Sequence, residues 1–200
     1  INTCYYLPYG VEDDKQLPAI VSEPASCFHI GSMDWAPNLE GVQWFLHEVW
    51  SEIRHEFPGV ILYLAGKNMP ASIRAQTNEQ LCVVGEVDDV DRFCLEKNIM
   101  LVPLLSGAGI RVKLLEAMLL GKTIITTAVG AEGIGLTHEE QVLIADDKDL
   151  FRAALHRCFD NPELSKKIGE QARCFVLQHY RRSEIYRLFS DYLTVRLTHA

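Results

Sequence analysis

The sequence predicts an α/β domain: a doubly wound parallel sheet of about six strands with helices on both faces. Three observations predict it. Short runs are apolar at nearly every position, at residues 60–65, 81–84 and 99–105, and a strand without polar alternation is one covered on both faces. Stretches with helical spacing follow these runs, the alternation that builds parallel crossovers. The length of 200 residues suits one such domain with a substantial core and is short for two.

In order along the chain, residues 28–31 form a short strand ending in Gly31. Pro37 and Asn38 open a helix whose apolar residues Val42, Phe45, Leu46, Val49, Ile53 and Phe57 recur at helical spacing, until Pro58 and Gly59 stop it. Residues 60–65 are the second strand, and Ile73 marks a short helix. Residues 81–84 are the third strand, and Asp88 or Asp89 caps a brief helix through Phe93 and Leu95. Residues 99–105 are the fourth. The loop Ser106-Gly107-Ala108-Gly109 then leads into a helix over 110–120 that Gly121 terminates. Residues 123–129 and 142–145 complete the sheet. Of three closing helices, Asp147 caps the first and Pro162 begins the second. The third carries Ile185, Leu188, Phe189, Tyr192 and Leu193 on one face. Residues 1–27, with Pro8, Gly10, Pro18 and Pro24, read as a linker or tail ahead of a domain over 28–200.

A formal charge of −8 argues against a broad nucleic-acid surface but leaves room for a local phosphate site. The apolar runs are too short to span a membrane. The chain starts at Ile1 with no signal-peptide pattern and reads as an internal cut. Cys4, Cys27, Cys82, Cys94, Cys158 and Cys174 lack metal-type spacing and are expected as free thiols in a reducing cytoplasm.

In doubly wound sheets ligands bind beyond the carboxyl ends of the strands, here the loops starting at Gly31, Gly66, Gly85, Ser106 and Gly130. The richest is 106–113. Its small residues admit a close ligand, and the helix start points free N–H groups at it. Arg111 and Lys113 are expected in the first turn of that helix, where the dipole disfavours cations. A bound diphosphate would account for both; neighbouring carboxylates or solvent would account for them equally well. Glu116, among Leu114, Leu115, Ala117 and Met118, either pairs with Lys113 on the surface or accepts from ribose hydroxyls.

The run Gly109-Ile110-Arg111-Val112-Lys113-Leu114-Leu115-Glu116-Ala117-Met118, followed by Gly121-Lys122 and an apolar strand, resembles the donor-site segment of the family 4 glycosyltransferases. Other segments agree in order: Gly31-Ser32-Met33-Asp34-Trp35-Ala36-Pro37-Asn38, Gly85-Glu86-Val87-Asp88-Asp89 and Gly130-Ala131-Glu132-Gly133-Ile134. Pro8-Tyr9-Gly10-Val11-Glu12 is similar to the peptide leading out of the family's acceptor domain. The resemblance covers roughly residues 5–180. It implies the Rossmann-like, carboxyl-terminal half of a two-domain GT-B enzyme that moves a sugar from a nucleotide diphosphate to an acceptor hydroxyl with retention.

By that resemblance Glu116 binds the donor ribose, Gly85, Glu86 and Val87 lie against the base, and Gly107, Ala108 and Gly109 approach the sugar or phosphate. Gly31, Ser32 and Gly130 belong to the flanking donor loops. The family's earlier motif glutamate would fall at Ala108 and is missing. The usual cations of the first loop fall near Ser32 and Asn38, so Arg111 and Lys113 are expected to supply that charge as the catalytic pair. No cofactor or metal is implied. The partners implied are a nucleotide-diphosphate sugar and the acceptor domain of the same full-length chain, with no nucleic acid. The setting implied is cytoplasmic, with peripheral membrane contact open to the full-length protein.

Other signals carry less. Residues 107–112 half match a dinucleotide fingerprint, but three strands precede them. The acidic runs 88–91 and 146–149 read as helix caps. His29 reads as a core or edge histidine, and Trp35 and Trp44 as packing residues. A nucleotide-sugar epimerase of the same architecture and a non-catalytic nucleotide-binding module remain as alternatives.

Overall fold

A computed structural model describes residues 7–12, 18, 20, 22–23 and 25–198. Cys4, Pro24 and much of the expected linker lie outside the described residues. The elements are β1 (Ser26–Ile30), α1 (Ala36–Trp44), a π-helical segment (Phe45–Trp50), α2 (Ser51–Glu56), β2 (Ile61–Ala65), α3 (Ala71–Arg74), β3 (Leu81–Gly85) and α4 (Val90–Glu96). There follow β4 (Ile99–Val102), α5 (Val112–Leu119), β5 (Thr123–Thr126), α6 (Ala128–Ala131), β6 (Leu143–Ile144), α7 (Lys148–Asp160), α8 (Pro162–His179) and α9 (Arg182–Thr198).

The six strands form one sheet in the order β3-β2-β1-β4-β5-β6, parallel at every pairing. The chain builds outward from β1 to β3, then returns to lay β4 on the other side of β1. That reversal opens a crevice between the carboxyl ends of β1 and β4, where doubly wound sheets bind ligands. The core divides by sheet face. Val42, Phe45, Leu46 and Ile53 from the first helical stretch pack with Phe151 and Leu155 of α7. Phe93 of α4, Leu114, Leu115 and Met118 of α5 and Val176 of α8 fill the other side.

The first helical stretch keeps its core face through the π segment. A π turn holds one more residue than an α turn, so Phe45 with Leu46, and Val49 with Trp50, all bury there. Asp89 caps α4 through the Arg92 N–H, and Asp147 caps α7 through the Leu150 N–H. Asp146 accepts the Ala128 N–H at 2.7 Å, so both acidic runs do serve helix starts. At the end of α5 the Gly121 N–H reaches the Met118 carbonyl at 2.9 Å and the Lys122 N–H the Ala117 carbonyl at 3.0 Å, the paired bonds of a Schellman turn.

Among the differences from the sequence expectation are three element boundaries and one helix face. β4 stops at Val102, because Pro103 has no N–H to donate to the ladder. β5 stops at Thr126, because Thr127 turns its hydroxyl to the Gly130 N–H and caps α6. α5 starts at Val112, with Arg111 at its N-cap and not in its first turn; positive φ at Gly107 and Gly109 delays the helix. Of the expected α9 stripe only Ile185 is buried, while Leu188 and Leu193 are exposed. Cys27, Cys82, Cys94, Cys158 and Cys174 are free thiols. Among the described residues no helix is long and apolar enough to cross a membrane.

Candidate functional site

The loops after β1, β2 and β3 meet backbone to backbone. The Gly31 N–H donates to the Ala65 carbonyl at 3.1 Å, and the Gly66 N–H to the Gly85 carbonyl at 2.7 Å. Beyond Gly85, Glu86 pairs with Lys67 at 3.0 Å on the surface, and Val87 packs against the core face formed by α4 and α5.

The β4–α5 loop closes the other side of the crevice. Gly107 has φ +119, and a Cβ there would lie 2.8 Å from Arg111 Nη2, so only glycine fits without moving the guanidinium. Arg111 is 6% exposed. Its Nη1 donates to the Ala108 carbonyl at 2.6 Å, and its Cζ lies 5.0 Å from the Trp35 ring centroid. Its Nε and Nη2 are buried without a hydrogen-bond partner. No carboxylate pairs with it among the described residues. A buried cation in that condition is costly unless something supplies the missing charge.

Lys113 stands beside it, half-buried. Its Nζ donates to Asn38 Oδ1 at 2.8 Å and to the Ile30 carbonyl at 3.3 Å. Burial first and the Arg111 charge second lower its pKa to about 7. Asn38 is itself buried and passes its amide N–H to the Ser32 carbonyl at 2.9 Å, which ties the first loop to α5. Beneath them lies His29, 1% exposed. Its Nδ1 is 2.9 Å from the Leu101 carbonyl, which can only accept, so Nδ1 carries the proton. Burial, then the Lys113 charge, holds His29 well below the usual histidine range. The imidazole is therefore neutral, with Nε2 buried and unpartnered.

The structure thus brings Gly31, Ser32, Gly107, Ala108, Arg111 and Lys113 to one crevice. Gly109 sits on its exposed rim with φ +88, and Gly85, Glu86 and Val87 line the neighbouring loop. Glu116 lies one turn further along α5 and accepts from the Tyr9 hydroxyl at 3.5 Å. It does not pair with Lys113. It borders a cleft of about 180 Å³ with Tyr9, Asp91, Leu119 and Arg182. Gly130 is buried in α6 with its N–H taken by Thr127, so it packs within the fold. A larger groove of about 890 Å³, between the first helical stretch and α3, touches none of the strand-end loops.

Sequence reasoning missed two participants. Asn38 reads from the sequence as a helix opener and as an uncharged residue where a cation is usual, yet it positions Lys113. Trp35 was assigned to packing, yet it is 38% exposed over Arg111. Nothing in residue spacing marks either, because both act across β1 and β4 contacts that only the fold creates. Chemically, a buried guanidinium with two open nitrogens and no carboxylate partner among the described residues, beside a second basic group, suits a compact dianion.

The family model for glycosyl transferases group 1 matches residues 24–161. An uncharacterized 44.6 kDa protein in the cps region of Klebsiella pneumoniae is 26% identical over 166 residues, 78% of this chain and 43% of that protein. A sucrose-phosphate synthase from Thermosynechococcus elongatus shares the fold with a TM-score of 0.77 at 16% identity, over 97% of this chain and 53% of that one. HepE of Anabaena, in complex with UDP, gives 0.70 at 14% identity, over 86% and 49%. The chain spans about half the length of the proteins it matches, and its sheet and flanking helices match the Rossmann-like domains of GT-B glycosyltransferases. Since the family model takes in most of its length, the chain belongs to the glycosyl transferases group 1 family.

Proposed function

We propose that this chain is the donor-binding half of a retaining glycosyltransferase and holds a nucleotide-diphosphate sugar in the β1/β4 crevice. Arg111 carries the reading: a buried guanidinium with two open nitrogens and, among the described residues, no carboxylate partner, at the switch point beside the Lys113 amine. A diphosphate supplies the missing charge, and its charge grows as the sugar departs. Arg111, Lys113 and the start of α5 then stabilise the leaving group electrostatically. Glu116 accepts from the ribose hydroxyls, displacing the Tyr9 hydroxyl. Gly85 to Val87 flank the base, while Gly107 to Gly109 face the phosphates and sugar.

The acceptor site belongs to the rest of the full-length protein, so this half binds the donor without turning it over. The cps-region relative supports a role in polysaccharide assembly, and the UDP bound to HepE supports a nucleoside diphosphate as the ligand class. Calorimetric titration of the intact protein with UDP, GDP, ADP and dTDP tests the reading. One nucleotide is expected to bind selectively. Glu116→Ala should weaken it roughly tenfold, since hydrogen bonds to an ionised acceptor are lost. Failure of all four to bind refutes the donor assignment.

A further inference from the structure

In a sugar nucleotide the sugar hangs directly from the outer phosphate, so the groups that read it stand next to those that hold that phosphate. The loop beside Arg111 offers little to read with. Gly107, Ala108 and Gly109 carry no polar side chain. The neighbouring element is α1, and the β4–α5 loop runs along its first turns. A Cβ on Gly41 would lie 2.1 Å from the Pro103 carbonyl oxygen. Three residues on, Ser106 Oγ donates to Glu40 Oε2 at 3.3 Å. Next, a Cβ on Gly107 would meet Trp35 Cζ2 at 3.2 Å. Two consecutive loop residues are therefore flanked by a carboxylate from α1 and by the indole of Trp35 at its N-cap.

Both side chains keep surface to offer. Trp35 is 38% exposed and the adjacent Leu105 44% exposed, so the rim of the crevice is apolar beside the cations. Glu40 is exposed, and an ionised carboxylate accepts at about four sites, of which Ser106 takes one. Arg111, buried with two nitrogens unpartnered, marks where the charged part of a ligand belongs.

We infer that Trp35 and Glu40 form the subsite that reads the donor sugar. The indole meets an apolar C–H face of the pyranose, and the carboxylate accepts from neighbouring ring hydroxyls. An apolar aromatic wall with one well-placed polar group is the usual composition of a small-molecule site. The inference rests on the donor reading above and adds to it the residues that choose the sugar.

The test separates the two. Affinities of the intact protein are measured for UDP, GDP, ADP and dTDP and for the glucose, galactose, mannose and N-acetylglucosamine esters of the one that binds. At least one ester should bind more tightly than the bare diphosphate. Glu40→Gln should reduce that ester's affinity roughly tenfold while the affinity for the free diphosphate holds. Trp35→Ala should remove most of the remaining advantage of the ester. Equal losses for diphosphate and ester in both variants would mean that the two residues only shape the loop, which overturns the subsite. So would unchanged ester binding, or a wild-type protein that gains nothing from any of the sugars. No binding of any diphosphate is a separate outcome: it removes the donor reading and the subsite with it.

Discussion

Burying an amine among a carbonyl, an amide and a second cation favours its neutral form, and Lys113 accordingly titrates at about 7. The groups around it are His29 from β1, neutral at working pH, Asn38 from α1 and Arg111 from the loop. A diphosphate prefers the ammonium. Below pH 7 the proton is already present; above it, binding must draw one from solvent. Nucleotide affinity should therefore fall as pH rises from about 7 to 9, by at most about tenfold per unit, with a calorimetric heat that depends on the buffer's ionisation enthalpy. Stability moves the other way. The unfolded side chain titrates near 10.4 and binds more protons than the folded one between about 7 and 10.4, so this group's contribution rises with pH across that window. Lys113→Met should flatten both dependences. A pH-independent affinity in the wild type would show that Lys113 is not the titrating contact.

The elements themselves were largely legible. Strands buried on both faces, Asp89 and Asp147 as caps, Pro162 at a helix start and Gly121 at a helix end all declare themselves in local chemistry. What stayed hidden was decided by contacts between elements. The runs 99–105 and 123–129 look like longer strands than they are, because hydrophobicity does not show where a ladder partner ends. Arg111 looks helical until the glycines before it take positive φ. The same limit applies to Lys122, a charge in an apolar neighbourhood whose role only the fold explains. Its Nζ donates to the Leu95 carbonyl at 2.9 Å and the Lys97 carbonyl at 2.6 Å, holding the end of α4. Burial lowers its pKa to about 8. Lys122→Met keeps the apolar stem but strands two buried carbonyls, and should cost about 1–3 kcal/mol, read from a denaturant midpoint. A midpoint equal to wild type would show that solvent replaces the ammonium without cost.

At the scale of the molecule, the strand order makes the site. Returning from β3 to set β4 beside β1 forces two loops apart at their carboxyl ends, and each brings what the other lacks. The β1–α1 side supplies Ser32, Trp35, Asn38 and Glu40, and the β4–α5 side supplies Arg111 and Lys113. Neither segment alone assembles the proposed site, which is why residue spacing singles out the cations but not the residues that hold them. The central claim is that this crevice holds a diphosphate through Arg111 and Lys113. The most direct test compares the affinity for the preferred nucleoside diphosphate with that for the corresponding nucleoside, in wild type and in the Arg111→Ala/Lys113→Ala double variant. The account predicts that the wild type binds the diphosphate far more tightly, and that the double variant loses that difference while its nucleoside affinity is unchanged. A double variant that still prefers the diphosphate by the wild-type margin would contradict it.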